Sequence, residues 1–174
     1  SEIFSNFLKI DYEIFFVNNV ENFTIINKKL NKRLIFPTIF FDHVEHNWLQ
    51  LKDNNFYVLT PWDVKAEFFS KNSGIRSTHI CFGRPGVEKN NDVISFKFDI
   101  FGAIFYFLTC YEEGLIDKRD EHGRFLSKYS LSRDKDTICE PLVNHYLEML
   151  HRSLIELSMV PDKPLDRKFS LTIT

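Results

Sequence analysis

An α/β or α+β fold, a mixed β-sheet with a helix buried against it, is what this 174-residue sequence predicts. Three observations carry that expectation. Ahead of Asp99 the apolar residues fall in short runs separated by polar turns, the pattern of strands. From Ile100 to Leu108 the chain is apolar almost all round, the pattern of a helix covered on most sides. Later, Leu142, Val143, Tyr146, Leu147, Leu150, Leu154 and Leu157 recur at three- and four-residue steps, the pattern of an amphipathic helix. The buried central helix is expected over about 99–113 and the long amphipathic C-terminal helix over about 140–159.

Taken in order, residues 3–10 read as a short helix or an edge segment. Glu13–Val17 is a continuous apolar run closed by Asn18 and Asn19, and reads as a strand, with Asn22–Ile26 a second. Asn27–Arg33 is a polar, basic turn, read as a solvated loop rather than a phosphate site. Leu34–Phe41 is strand-like but holds Pro37, which suits an edge strand or a bulge. Asp42–His46 contains His43 and His46, three apart with acids nearby, a weak metal-ligand pair if the stretch is helical. Solvated helix turn is the preferred reading there. Phe56–Leu59 reads as a strand, and Pro61 opens an expected helix over Trp62–Ser70. His79–Phe82 is a short strand closed by Gly83-Arg84-Pro85-Gly86, and Val93–Phe96 is the last strand before the central helix.

Asp99 is placed to cap that helix, and Gly114 to close it in the left-handed conformation. Glu112 and Glu113 then fall in its last turn, against the negative end of the helix dipole. The loop beyond supplies Lys118, Arg119 and Arg124 as compensating cations. In the second helix Pro141 falls in the first turn, where its missing N–H is harmless. His145, Glu148, Arg152 and Glu156 are expected on its polar side, with Glu148 and Arg152 an i,i+4 pair. Residues 1–174 read as a single domain, within which 162–168 read as a linker and 169–174 as a strand that starts a following domain.

Composition narrows the function classes. Nineteen Phe, against two Trp and six Tyr, point to a Phe-rich core more than to an aromatic ligand platform. A net charge of −2 gives no basic face for nucleic acid. Three cysteines without a Cys-x-x-Cys pair suit a reducing compartment such as the cytoplasm, with Cys110 a small core residue of the buried helix. No signal peptide and no membrane-spanning apolar run are expected. No phosphate-cradling glycine pattern and no nucleophile-elbow serine occurs.

One set of residues is more specific. Asp99, Ile100, Phe101, Phe105, Leu108, Thr109, Tyr111, Glu112 and Glu113 form a spaced series, followed by Asp120, His122, Gly123, Arg124 and Phe125, then Ser130 and Leu131, then Pro141, Val143 and Tyr146. In this order they resemble the domain that precedes the NodB-type catalytic domain in bacterial polysaccharide deacetylase-like proteins. Cys110, Gly114 and Glu140 depart from that fingerprint, where Arg, an aromatic and Arg are usual. The resemblance implies a non-catalytic N-terminal accessory domain in surface-polysaccharide metabolism. Its partners would be its own C-terminal catalytic domain and a polysaccharide, with no nucleic acid. It implies no cofactor in residues 1–174, and a divalent metal only in the catalytic domain, whose Asp-x-Asp start would come beyond Thr174.

The candidate binding or structural cluster is Glu112, Glu113, Asp120, His122 and Arg124. One reading has it bind a sugar or support a neighbouring active site; the other has Arg119 or Arg124 pair with the acids and lock the loop to the helix end. Two further classes stay open: a stand-alone metal-dependent hydrolase or nuclease using Glu112, Glu113 and Asp120, and a protein-interaction module.

Overall fold

A computed structural model describes residues 15–19, 22–46, 48–50, 57–64, 68 and 76–162. The expected fold class is the one observed. Strands β1 (Phe15–Asn19), β2 (Asn22–Asn27), β3 (Lys32–Pro37), β7 (Val93–Phe98) and β6 (Gly83–Lys89) lie in that order in one sheet. The first three form an antiparallel meander, β3 runs parallel to β7, and β6 closes the far edge antiparallel to β7. Strands β4 (Thr60–Asp63) and β5 (Ser77–Ile80) make a separate two-stranded ribbon. Helix α1 (Ile39–Val44) follows β3; α2 (Ile100–Leu108), α3 (Tyr111–Leu115), α4 (Lys135–Ile138) and α5 (Leu142–Glu156) follow β7.

Alternation in the central strands sets the core. Leu34 and Phe36 of β3, and Ile94, Phe96 and Phe98 of β7, point to the covered face. Phe36 stacks on Phe96 with ring centroids 5.0 Å apart, and Phe101 of α2 meets Phe23 and Phe36 edge-on at 4.9 and 5.1 Å. The apolar stripe of α5 buries Leu142, Tyr146, Leu147, Leu150 and Leu154 as the spacing predicts. Among the described residues Phe36, Phe40, Phe82, Phe96 and Phe98 are all buried in the core.

Several elements differ from the sequence expectations, each for a local reason. Strand β3 stops at Pro37, and Ile39–Val44 turns helical because a distant carboxylate caps it. Strand β4 begins at Thr60, so Trp62 lies in a strand and not at a helix start; pairing of Pro61 with His79 and Trp62 with Thr78 gives this segment a ladder the sequence pattern does not reveal. Gly83–Gly86 belongs to β6 as an irregular stretch, with a register shift between Gly83 and Val87.

The central helix breaks. Cys110 takes the left-handed conformation at φ 49°, so α2 ends at Leu108 and α3 starts at Tyr111. Cys110 is therefore exposed and not a core residue; Cys81 is the buried cysteine. Gly114 lies inside α3 and does not close the helix. A Cβ on it would come within 2.6 Å of Leu49 Cδ2. The break also reverses an electrostatic expectation. Glu112 and Glu113 sit in the first turn of α3, at the favourable end of its dipole. In the last helix Pro141 is the flanking residue and α5 runs from Leu142 to Glu156, while His145 is buried rather than on the polar side. Glu148 and Arg152 pair as expected, Oε1 to Nε 3.1 Å. Segment 3–10, residues 13–14, residues 163–168 of the linker and strand 169–174 lie outside the described residues.

Candidate functional site

Asp99 fixes where everything downstream sits. Its Oδ1 accepts from the Gly102 N–H at 2.7 Å, the N-cap bond expected from the sequence. Its Oδ2 accepts from the Phe40 N–H at 3.0 Å, and so also caps α1, whose own N-cap residue Thr38 makes no side-chain cap. One buried carboxylate thus joins the starts of two helices. Burial raises its pKa to about 6 against the pull of those N–H donors. Gly102 is needed beside it: a Cβ there would lie 2.4 Å from Phe40 Cβ and 2.5 Å from Asp99 Oδ2.

Glu112 is the next hub. Its Oε1 accepts from Ser130 Oγ at 2.6 Å; its Oε2 accepts from the Leu131 N–H at 2.7 Å and from the Tyr106 hydroxyl at 3.3 Å. The charge-assisted bond to Ser130 is short, as such bonds are. A single acid on α3 therefore anchors the loop eighteen and nineteen residues on. Burial, with the neighbouring Glu112 charge adding to it, holds the Tyr106 hydroxyl well above its usual pKa, so it serves only as a neutral donor. Tyr57, ringed by the same cluster and stacked 5.8 Å from Tyr106, is pushed up to about 12, chiefly by burial.

Asp120 organises a second, separate unit. Its Oδ1 accepts from the backbone N–H of His122 and of Arg124, both at 2.9 Å, and its Oδ2 from Arg124 Nε at 2.8 Å. Gly123 completes the turn at φ 76°, a conformation that suits glycine. Donation from the Arg124 backbone, then from its guanidinium and His122, holds the Asp120 carboxyl below its usual range. The His122 ring is exposed and meets its neighbour Glu121, Nε2 to Oε1 3.3 Å. Glu113 is exposed, and it is its carbonyl, not its carboxylate, that Arg119 grips, Nη2 to O 2.6 Å. Arg119 also donates to the Ile116 carbonyl at 2.9 Å, tying the loop to the end of α3.

The five candidate residues are thus divided. Asp120 and Arg124 meet, with His122 contributing its backbone; Glu112 and Glu113 bind elsewhere. The structure accounts for the spacing of these residues by what each holds: Glu112 with Ser130 and Leu131, and Asp120 with His122, Gly123 and Arg124. His43 lies in the last turn of α1, its ring 6.1 Å from that of Tyr57, and His46 is exposed just beyond the helix. Among the described residues no group of three His, Cys, Asp or Glu is arranged to hold a metal ion.

A third polar cluster escaped the sequence reading. Glu140 Oε2 is 2.5 Å from His79 Nδ1, and Oε1 is 3.1 Å from His145 Nδ1 and 3.2 Å from the His79 backbone nitrogen. Thr78 Oγ1 lies 3.0 Å from the same His145 nitrogen. Tyr146 completes the bridge, its hydroxyl donating to the His79 carbonyl at 2.8 Å and accepting from the Cys81 N–H at 3.2 Å. The sequence held one hint, an acid and a histidine five apart at the start of α5, but nothing that linked them to β5.

Chemically, the first two arrangements consume their acceptors internally and present no paired carboxylates. The surface they support is apolar. Trp48 and Phe41 are 53% and 40% exposed, and their rings lean on Tyr111 and Phe105 at 5.1 and 5.5 Å. Leu49, also exposed, is locked in the left-handed region at φ 52° by its N–H bond to the Tyr111 hydroxyl at 2.8 Å. No helix among the described residues is long and apolar enough to cross a membrane. A family model described as "Family of unknown function (DUF7033)" matches residues 1–159. No curated protein and no solved structure matches the chain.

Proposed function

This chain belongs to the DUF7033 family of unknown function, and we propose that it is the non-catalytic N-terminal accessory domain of a polysaccharide deacetylase-like protein, acting in surface-polysaccharide metabolism. The ordered fingerprint from Asp99 to Tyr146 suggests the assignment. The observation that carries the non-catalytic part is the use of Glu112 and Asp120: both spend their carboxylate oxygens on loop-closing bonds within the chain. A reacting carboxylate needs an oxygen within reach of its substrate. In this reading the divalent metal and the base belong to a C-terminal catalytic domain, which this domain packs against while it helps position a glycan, in the cytoplasm.

The exposed face of Phe41, Trp48 and Leu49 favours a protein contact as the domain's means of action, since rigid aromatic anchors dominate such contacts. Two measurements test the proposal. The natural reading frame after Thr174 is expected to continue into Asp-x-Asp and a later His-x-x-x-His. The purified chain is expected to release no acetate from N- or O-acetylated oligosaccharides. A stop codon, or acetate release by this chain alone, overturns it. In the second case a stand-alone hydrolase using Glu112, Glu113 and Asp120 takes its place.

A further inference from the structure

The β4–β5 ribbon has no strand in the five-stranded sheet, and polar contacts gathered on one carboxylate tie it to α5. Glu140, just ahead of α5, faces His79 of β5 and His145 of α5 at the distances given above. Ionised, it has no proton to give, so each ring facing it carries its proton on Nδ1. All three side chains are largely withdrawn from water: 19% exposed for His79, 11% for Glu140 and 6% for His145. No Lys or Arg among the described residues forms an ion pair with Glu140.

Charge then decides how the cluster responds to protons. With both rings neutral it carries one negative charge. A first proton makes one ring an imidazolium beside Glu140, turning a hydrogen bond into an ion pair and bringing the cluster to zero charge. A second proton leaves two imidazoliums sharing one carboxylate, one of them deeply buried. Tyr146 of α5 also interacts electrostatically with Glu140, and burial keeps its hydroxyl neutral; the Cys81 thiol beside Tyr146 is likewise kept neutral by burial. Neither supplies a second anion at the buried end.

We propose that Glu140, His79 and His145 form an acid-operated latch: with no proton or one it clamps the β4–β5 ribbon to the start of α5, and a second proton releases it. Burial holds the His145 imidazole below its usual value of 6.5, against the pull of Glu140. A histidine whose value is lower in the folded chain than in the unfolded one favours folding above 6.5. That contribution declines as the pH falls below 6.5 toward the lowered value.

Amide hydrogen exchange on the full chain at about pH 7.5 and pH 5, corrected for intrinsic rates, tests the latch. Protection over Ser77–Ile80 is expected to fall by about tenfold or more in acid while β2, β3 and β7 keep theirs. His145→Gln is expected to abolish that difference. Equal protection of the ribbon at both pH values, or loosening of the whole sheet together with it, overturns the proposal. Should His145→Gln not fold, proton NMR of the unmodified chain decides: the His145 ring is expected to titrate below 6.5, and a midpoint at or above 6.5 refutes the latch.

Discussion

Replacing Asp99 should reveal how far one carboxylate holds the two helix starts together. Asp99→Ala removes the acceptor for the Gly102 and Phe40 N–H groups, which lie at 2.7 and 3.0 Å in a position 1% exposed. Loss of the cap on α2 costs about 1 kcal/mol, and the Phe40 donor left buried without an acceptor costs about 1–3 more. The total, about 2–4 kcal/mol, is a large part of the roughly 5–15 kcal/mol that holds a domain of this size. Urea melts at pH 7 followed by Trp fluorescence give the value directly, with the slope unchanged. Asp99→Asn keeps one acceptor and drops the buried charge, so it should cost less than Asp99→Ala. A loss below about 1 kcal/mol for Asp99→Ala would refute the double-cap argument.

The same carboxyl sets a pH dependence of definite sign. Its pKa is about 6 in the folded chain against an ordinary 3.8. Between those values the folded state binds more protons than the unfolded state, so this group's contribution to stability grows as the pH falls from 6 to 3.8 and is flat below. The shift amounts to about 3 kcal/mol across that window. Asp99→Asn should remove that slope, and an identical pH profile for the two proteins would show that Asp99 does not titrate there.

Other perturbations read the neighbouring contacts. Gly102→Ala drives a methyl into Phe40 and Asp99 and should cost about 1–3 kcal/mol in the same melts, whereas a cost near zero would mean α1 moves aside freely. Glu112→Gln should weaken the hold on Ser130 and Leu131 by about 1–3 kcal/mol and speed proteolytic cleavage between residues 126 and 134; unchanged cleavage would detach that loop from Glu112. The Asp120 carboxyl carbon should titrate below 3.8 by NMR. Its contribution is then present above 3.8 and lost as the pH falls through the lowered value; Arg124→Ala, which removes one of the donors, should move the midpoint upward.

Local chemistry was legible where it acts over a few residues. Asp99 announced a cap, the apolar run behind it a covered helix, and the Leu142–Leu157 spacing the stripe that α5 buries. Asp120 and Arg124, four apart, meet because a turn of that length closes on itself. The break at Cys110 was not legible, since the apolar pattern runs up to it. Only the docking of Tyr111 against Trp48 and the Leu49 N–H, more than sixty residues away in sequence, shows what sits on the far side of that turn.

The fold class, the buried helix start and the amphipathic helix follow from the chain alone, because all rest on periodicity and on contacts within a turn or two. Tertiary structure alone decided that Asp99 caps α1 as well as α2, that Glu112 holds Ser130 and Leu131, and that Glu140 gathers His79 and His145. The physical reason is the same in each case. A carboxylate withdrawn from water must find donors, but the donors are chosen by which backbone and ring nitrogens the packed strands and helices bring within 3 Å or so, and that choice is made between residues far apart in the chain.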